Sequence, residues 1–171
     1  MRCGWPESGL VAGDFASIIS VLSDAGVEFV VIGGLAAQAH GAARLTQDAD
    51  FIYRRTPENI RRLTLALAPH RPYLRGAPPG LSFAFDEATI QRGLNFTLTT
   101  SLGDVAFLGE MVGGGTFEQV LPNTTTLRVF GRSVLVLDLP ALIRAKRAAG
   151  RPKDFEAIAE LTALAVERER G

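Results

Sequence analysis

A chain of 171 residues, 47% hydrophobic and 21% charged, has the size and composition of one globular domain that buries a core without staples, which excludes disorder. Lysine plus arginine equals aspartate plus glutamate at 18 each, so any nucleic-acid partner must be met by a local basic patch rather than by the field of the whole chain. Cys3 is the single cysteine, which excludes an intrachain disulfide and a thiolate metal cluster.

Met1–Ser8 hold one Arg, and Asp14 interrupts before any apolar stretch builds, so no secretory signal is expected. The longest apolar run, around Phe29–Ile32, is far short of the ~18 residues that span a membrane. A cytoplasmic protein without membrane contact is expected. Asp14 caps a first helix, along which Phe15, Ile18, Ile19 and Leu22 form one apolar stripe closed by Gly26. Val27–Ile32 reads as a buried strand ending at Gly33-Gly34, and Leu35–His40 as a short helix. Asp48–Tyr53 reads as a second strand, and Thr56-Pro57-Glu58 starts a helix to about Ala68 by cap, proline and acid.

Residues 71–82 are rich in Pro and Gly and are expected to be loop, with helical turns at Asp86–Arg92. Asn95–Thr100 and Asp104–Leu108 read as strands, Gly113–Gly115 as a flexible connection, and Thr125–Val129 with Ser133–Leu137 as a hairpin around Gly131. Pro140–Ala149 is a helix stopped by Gly150, and Pro152 opens another. No repeat or long linker divides the chain. One α/β (α+β) domain over 1–171 is expected, a mixed sheet flanked by helices with the helical pair 138–170 packed on it.

The stretch VVIGGLAAQAHGAARLTQDADFIY, residues 30–53, carries the chemistry. Alternate side chains on a strand share a face, so Asp48 and Asp50 point the same way and repel unless a cation or a proton intervenes. Such hard oxygen ligands suit Mg²⁺ or Mn²⁺. Gly33-Gly34 lets backbone amides approach a phosphate. A diglycine alone is commonly a tight turn and Asp-x-Asp alone a polar strand start; the pair in this order and spacing is far more specific.

With its apolar-Gly-Gly, spacer and Asp-x-Asp strand, the chain resembles the nucleotidyltransferase superfamily. Through GGLAAQAHG, RLTQDADF, RTPENIRRL, GLSFAFD, RGLNFTLTTSLGD and LIRAKRAAGRPKDFEAIAEL it is similar to small bacterial proteins related to AbiEii-type abortive-infection toxins. The resemblance implies a nucleotidyltransferase-like sheet, metal roles for Asp48 and Asp50, and a phosphate-cradle role for Gly33 and Gly34. It also implies a third carboxylate between apolar residues on a later strand, and there this sequence departs. Ala106 stands at that place, between Val105 and Phe107, and Asp104 two residues earlier either supplies the metal-binding, catalytic carboxylate by a small shift or merely starts the strand.

Arg144, Lys146, Arg147, Arg151 and Lys153 form a basic cluster, either a solvated helix end or contacts to triphosphate; the resemblance favours Lys146 and the Lys153-Asp154 pair as site residues. Asp154 is read first as an acid stabilising the start of its helix. Arg44 and Thr46 in the spacer either touch phosphates or anchor the loop. His40 and His70 lack zinc-ligand spacing, and neither sits in a hydrolase triad. The expected function is metal-dependent transfer of a nucleotidyl group from an NTP to an RNA (tRNA) or protein acceptor, in a toxin with an antitoxin partner. The alternative is a degenerate nucleotide- or protein-binding module. Antibiotic nucleotidylation is a weaker third option, because the chain looks short for an added acceptor-binding helical domain.

Overall fold

Alternation on the strands sets the layers. In β4 (Asn95–Thr100) every second residue is buried, and in β5 (Gly103–Leu108) Val105 and Phe107 go inward while Asp104, Ala106 and Leu108 take the other face. The computed structural model describes residues 14–170; Cys3 and the rest of 1–13 lie outside the described residues. The helices at the start are α1 (Phe15–Asp24), capped by the Asp14 side chain on the Ser17 amide, and α2 (Gly33–Ala39), which follows β1 (Phe29–Ile32) without a loop.

After β2 (Ala49–Tyr53), Thr56 caps α3 (Pro57–Leu67) by accepting from the Asn59 amide. Next come β3 (Tyr73–Leu74), α4 (Glu87–Arg92) capped by Asp86, and the β4–β5 hairpin. The segment read as plain loop at 71–82 therefore contains a short edge strand, paired Tyr73 with Thr99 and Leu74 with Leu98. Gly113–Gly115, read as a flexible connection, includes the turn of a two-stranded ribbon, β6 (Glu110–Met111) with β7 (Gly115–Thr116). A short helix α5 (Phe117–Val120) follows under a Thr116–Gln119 capping box. The hairpin β8 (Thr124–Val129) and β9 (Arg132–Leu137) leads into α6 (Leu139–Ala149), capped by Asp138, and then α7 (Asp154–Arg170). Gly150 takes the left-handed φ of 63° that lets the chain leave α6.

Seven strands form one mixed sheet in the order β3-β4-β5-β2-β1-β9-β8. β1 runs antiparallel to β2 and parallel to β9, and β2 runs parallel to β5. Phe29, Phe51, Phe107, Phe85 and Phe96 run through the core as a chain of ring contacts, with centroids 5.4–6.3 Å apart. α3 touches α1 and α4, whereas α6 touches α2 and α7. The buried Asn59 amide clips β1 to β2: its oxygen accepts from Glu28 N at 2.7 Å, and its nitrogen donates to the Glu28 and Arg54 carbonyls at 3.0 and 2.8 Å. This fixes the two strands whose far ends meet at Gly33 and Asp50.

Candidate active site

β2 lies between β1 and β5, in a register that sets Asp50 beside Ile32 on one side and Ala106 on the other. Gly33 follows Ile32 with a left-handed φ of 66°, and a Cβ there would lie 2.5 Å from Asp50 Oδ2. A Cβ on Gly34 would lie 2.7 Å from Cβ and Oγ1 of Thr46. The diglycine is thus required by contact: Asp50 and the spacer loop both pack where side chains would otherwise stand. Thr46 in turn donates its hydroxyl to the Asp48 carbonyl at 3.1 Å. Asp48 occupies the bend just before β2, so the strand expected from Asp48 starts one residue later, at Ala49.

Asp48 and Asp50 open into one cavity of about 300 Å³, which Gly34, Arg44, Thr46, Lys146 and Lys153 also line. Seven of the nine residues expected at the site therefore meet on its wall. Gly33 lies behind Asp50, and Asp104 is not on the wall. α7 closes the opposite side with Ala157, Glu160 and Leu161. It also holds the spacer loop: Glu156 pairs with Arg44 at 2.9 Å, and Glu160 accepts from the Ala43 amide at 3.0 Å. His40 is buried as a structural anchor, with Nε2 at 2.8 Å from the Leu137 carbonyl and Nδ1 at 2.7 Å from Arg168.

The basic cluster divides. Arg144 and Arg147 are exposed and away from the cavity wall, whereas Lys146, Arg151 and Lys153 line it. Asp154 is the helix-start acid that its sequence reading gives, at the first residue of α7, and it does more. It is buried, takes Arg151 Nε at 2.9 Å and Nη2 at 3.3 Å, and faces Lys146 Nζ at 3.6 Å. Burial pushes its carboxyl upward, but the Arg151 hydrogen bond and the two cations outweigh that and leave it below the usual range.

Burial first, and then the Asp48 charge, push the Asp50 carboxyl up from 3.8 to about 6, against the pull of Arg75, Lys146 and Arg151. A charge so poorly compensated, on hard oxygen donors beside a second carboxylate, is suited to a divalent cation. The donor set fits one ion whose other ligands come from water or a bound phosphate. Among the described residues no three His, Cys, Asp or Glu side chains are grouped to hold a metal, so Asp104 does not complete a three-carboxylate set. Ala106 puts a methyl beside Asp50, and Asp104 instead faces Thr99 Oγ1 at 3.2 Å and Arg75 Nε at 3.6 Å.

Arg75 is the residue sequence reasoning missed. It lies in the Pro/Gly-rich segment just after β3, yet its Nη1 donates to Asp48 Oδ2 at 3.0 Å. Arg151 was visible in the basic cluster but was passed over for its neighbours.

No protein-family model and no curated protein matches the chain. Solved structures do. TM1012 of Thermotoga maritima, described as a nucleotidyltransferase, matches with a TM-score of 0.53 and 16% identity over 87% of this chain and 90% of that one. The lincosamide antibiotic adenylyltransferase LnuA, with lincomycin bound, matches with 0.59 and 10% over 90% and 99%. The antibiotic-resistance factor ANT(2'')-Ia matches with 0.56 and 14% over 91% and 90%. At these identities the likeness establishes architecture: the chain has the nucleotidyltransferase fold. Among the described residues no helix is long and apolar enough to cross a membrane.

Proposed function

We propose that this chain is a metal-dependent nucleotidyltransferase that moves a nucleotidyl group from a nucleoside triphosphate to an acceptor hydroxyl. The observation that carries this reading is the meeting of Asp48 and Asp50 with Lys146, Arg151 and Lys153 around one cavity. Carboxylates select a divalent ion and cations select phosphate oxygens, and a metal–triphosphate complex presents both. Asp48 and Asp50 would hold Mg²⁺ or Mn²⁺, which when bound neutralises triphosphate charge and favours in-line attack with pyrophosphate leaving.

The protein's own groups do the rest. Lys146 and Arg151, anchored on Asp154, and the exposed Lys153 give phosphate oxygens fixed positive partners. Gly34 lines the cavity and gives Thr46 room to pack, and Thr46 ties the spacer to Asp48. Arg44 contributes by holding that spacer to α7 through Glu156.

The resemblance to abortive-infection toxins makes an RNA (tRNA) end or a protein side chain the acceptor, in a toxin held by an antitoxin. The size argument against a small-molecule acceptor does not hold, because this chain matches LnuA over 99% of its length. One observation favours a second reading, a nucleotide-binding module without turnover: Ala106 stands beside Asp50 where a third carboxylate would act.

The test pairs melting curves with pyrophosphate release. The chain is incubated with Mg²⁺ and each of the γ-labelled NTPs, whose label leaves with the pyrophosphate, against tRNA, protein and aminoglycoside or lincosamide acceptors. Release that vanishes in Asp48→Ala and Asp50→Ala supports the enzyme. Stabilisation by NTP and Mg²⁺ with no release on any acceptor supports the module. No stabilisation and no release removes both.

A further inference from the structure

The cation nearest Asp48 comes from the far edge of the sheet. The Arg75 amide donates to the Thr97 carbonyl at 3.0 Å, which fixes its backbone against β4. From there the side chain spans β4 and β5. Nη1 donates to Asp48 Oδ2 at 3.0 Å, Nη2 approaches the Val105 carbonyl at 3.5 Å, and Nε stands 3.6 Å from Asp104 Oδ2. Nε is buried and has no hydrogen-bond partner among the described residues. Asp104 is held from its other side by Thr99. Because Ala49 pairs with Val105 in parallel, Asp48 and Asp104 enter the sheet side by side, and the guanidinium lies between their carboxylates.

Two adjacent carboxylates, of which Asp48 lines the cavity and Asp104 stands beside it off the wall, invite a divalent ion, and here a permanently charged side chain already stands between them. Resting on the function proposed above, we infer that Arg75 is a built-in cation that takes the place of a second divalent ion on Asp48 and Asp104. The chain then carries one divalent ion, held by Asp50 and the remaining oxygen of Asp48. Asp104 is a positioning residue that steers Arg75 and is not a metal ligand.

The test counts Mn²⁺ by electron paramagnetic resonance on the full chain, with and without α,β-methylene-ATP, with Asp50→Asn as the blank. The expected result is one ion per wild-type chain. In Arg75→Ala the released carboxylates take a second ion, or bind the first about tenfold tighter without nucleotide. Asp104→Asn keeps one ion, with affinity within about fivefold, because only a distant charge is lost. Two ions on the wild type, or loss of the ion in Asp104→Asn, overturns the inference. So does an Arg75→Ala variant that weakens nucleotide binding while its Mn²⁺ count and affinity stay as in wild type, which would make Arg75 a phosphate contact. If Arg75→Ala fails to fold, Asp104→Asn alone decides. The two levels separate cleanly: one ion on the wild type and an unchanged Arg75→Ala sinks this inference only, whereas no Mn²⁺ on either protein also sinks the metal-dependent function.

Discussion

Asn in place of Asp50 removes a charge that the empty fold holds at a disadvantage. The carboxyl is raised from 3.8 to about 6 by burial and by Asp48. That is about two pH units, and at ~1.4 kcal/mol per unit it amounts to ~3 kcal/mol. The sign follows from the direction. The folded chain binds the Asp50 proton more tightly than the unfolded chain, so the penalty is absent below pH 4, grows between pH 4 and 6, and is complete above 6. Asp50→Asn is therefore expected to melt ~6–12 °C above wild type at pH 7.5 in EDTA, and to converge with it near pH 4. Thermal melts of both proteins from pH 4 to 8 give the difference, which cancels other titrations such as that of His40, held low mainly by burial. Millimolar Mn²⁺ should then raise the wild type and leave the variant unmoved, since an ion at 100 times its dissociation constant adds ~2.7 kcal/mol. A variant no more stable at pH 7.5, or a difference that does not change with pH, refutes the account of Asp50.

Asn59→Ala should destabilise by about 2–4 kcal/mol in urea titrations, because three hydrogen bonds go and the Glu28 amide and Arg54 carbonyl lose their partner. Gly33→Ala combines a left-handed φ with a Cβ 2.5 Å from Asp50 Oδ2; it should cost about 2 kcal/mol or more and abolish Mn²⁺ binding by calorimetry. Asp154→Ala frees Lys146 and Arg151 and should weaken α,β-methylene-ATP binding about tenfold or more by calorimetry, with about 1–3 kcal/mol lost in stability. Arg44→Ala breaks an exposed pair with Glu156 and should change stability by less than ~1 kcal/mol.

The Gly33-Gly34 and Asp48–Asp50 constellation was legible because both halves are local: a strand running into glycine, and two acids at the spacing of one strand face. The sequence missed what that geometry adds, that Asp50 packs directly against Gly33. Arg75 escaped because no periodicity marks a two-residue strand, and its role exists only once β3 pairs with β4 and the side chain crosses two strands. Asp154 was weighted toward its local role for a related reason. An acid in a first helical turn has a sufficient local explanation, and only its burial beneath Arg151 and Lys146 reveals another task. Ala106 was the reverse case: the resemblance implied a carboxylate at that place, and the β2–β5 register puts the place beside Asp50.

The two walls of the cavity come from opposite parts of the chain, residues 34–50 and 146–161. During translation the acidic wall leaves the ribosome about a hundred residues before the basic one, a delay of several seconds at ordinary elongation rates. A nascent chain that has made its sheet but not α6 and α7 has its acids in place without the cations opposite them. On the proposed function, competence for nucleotide therefore waits for α6 and α7 and does not come with the sheet.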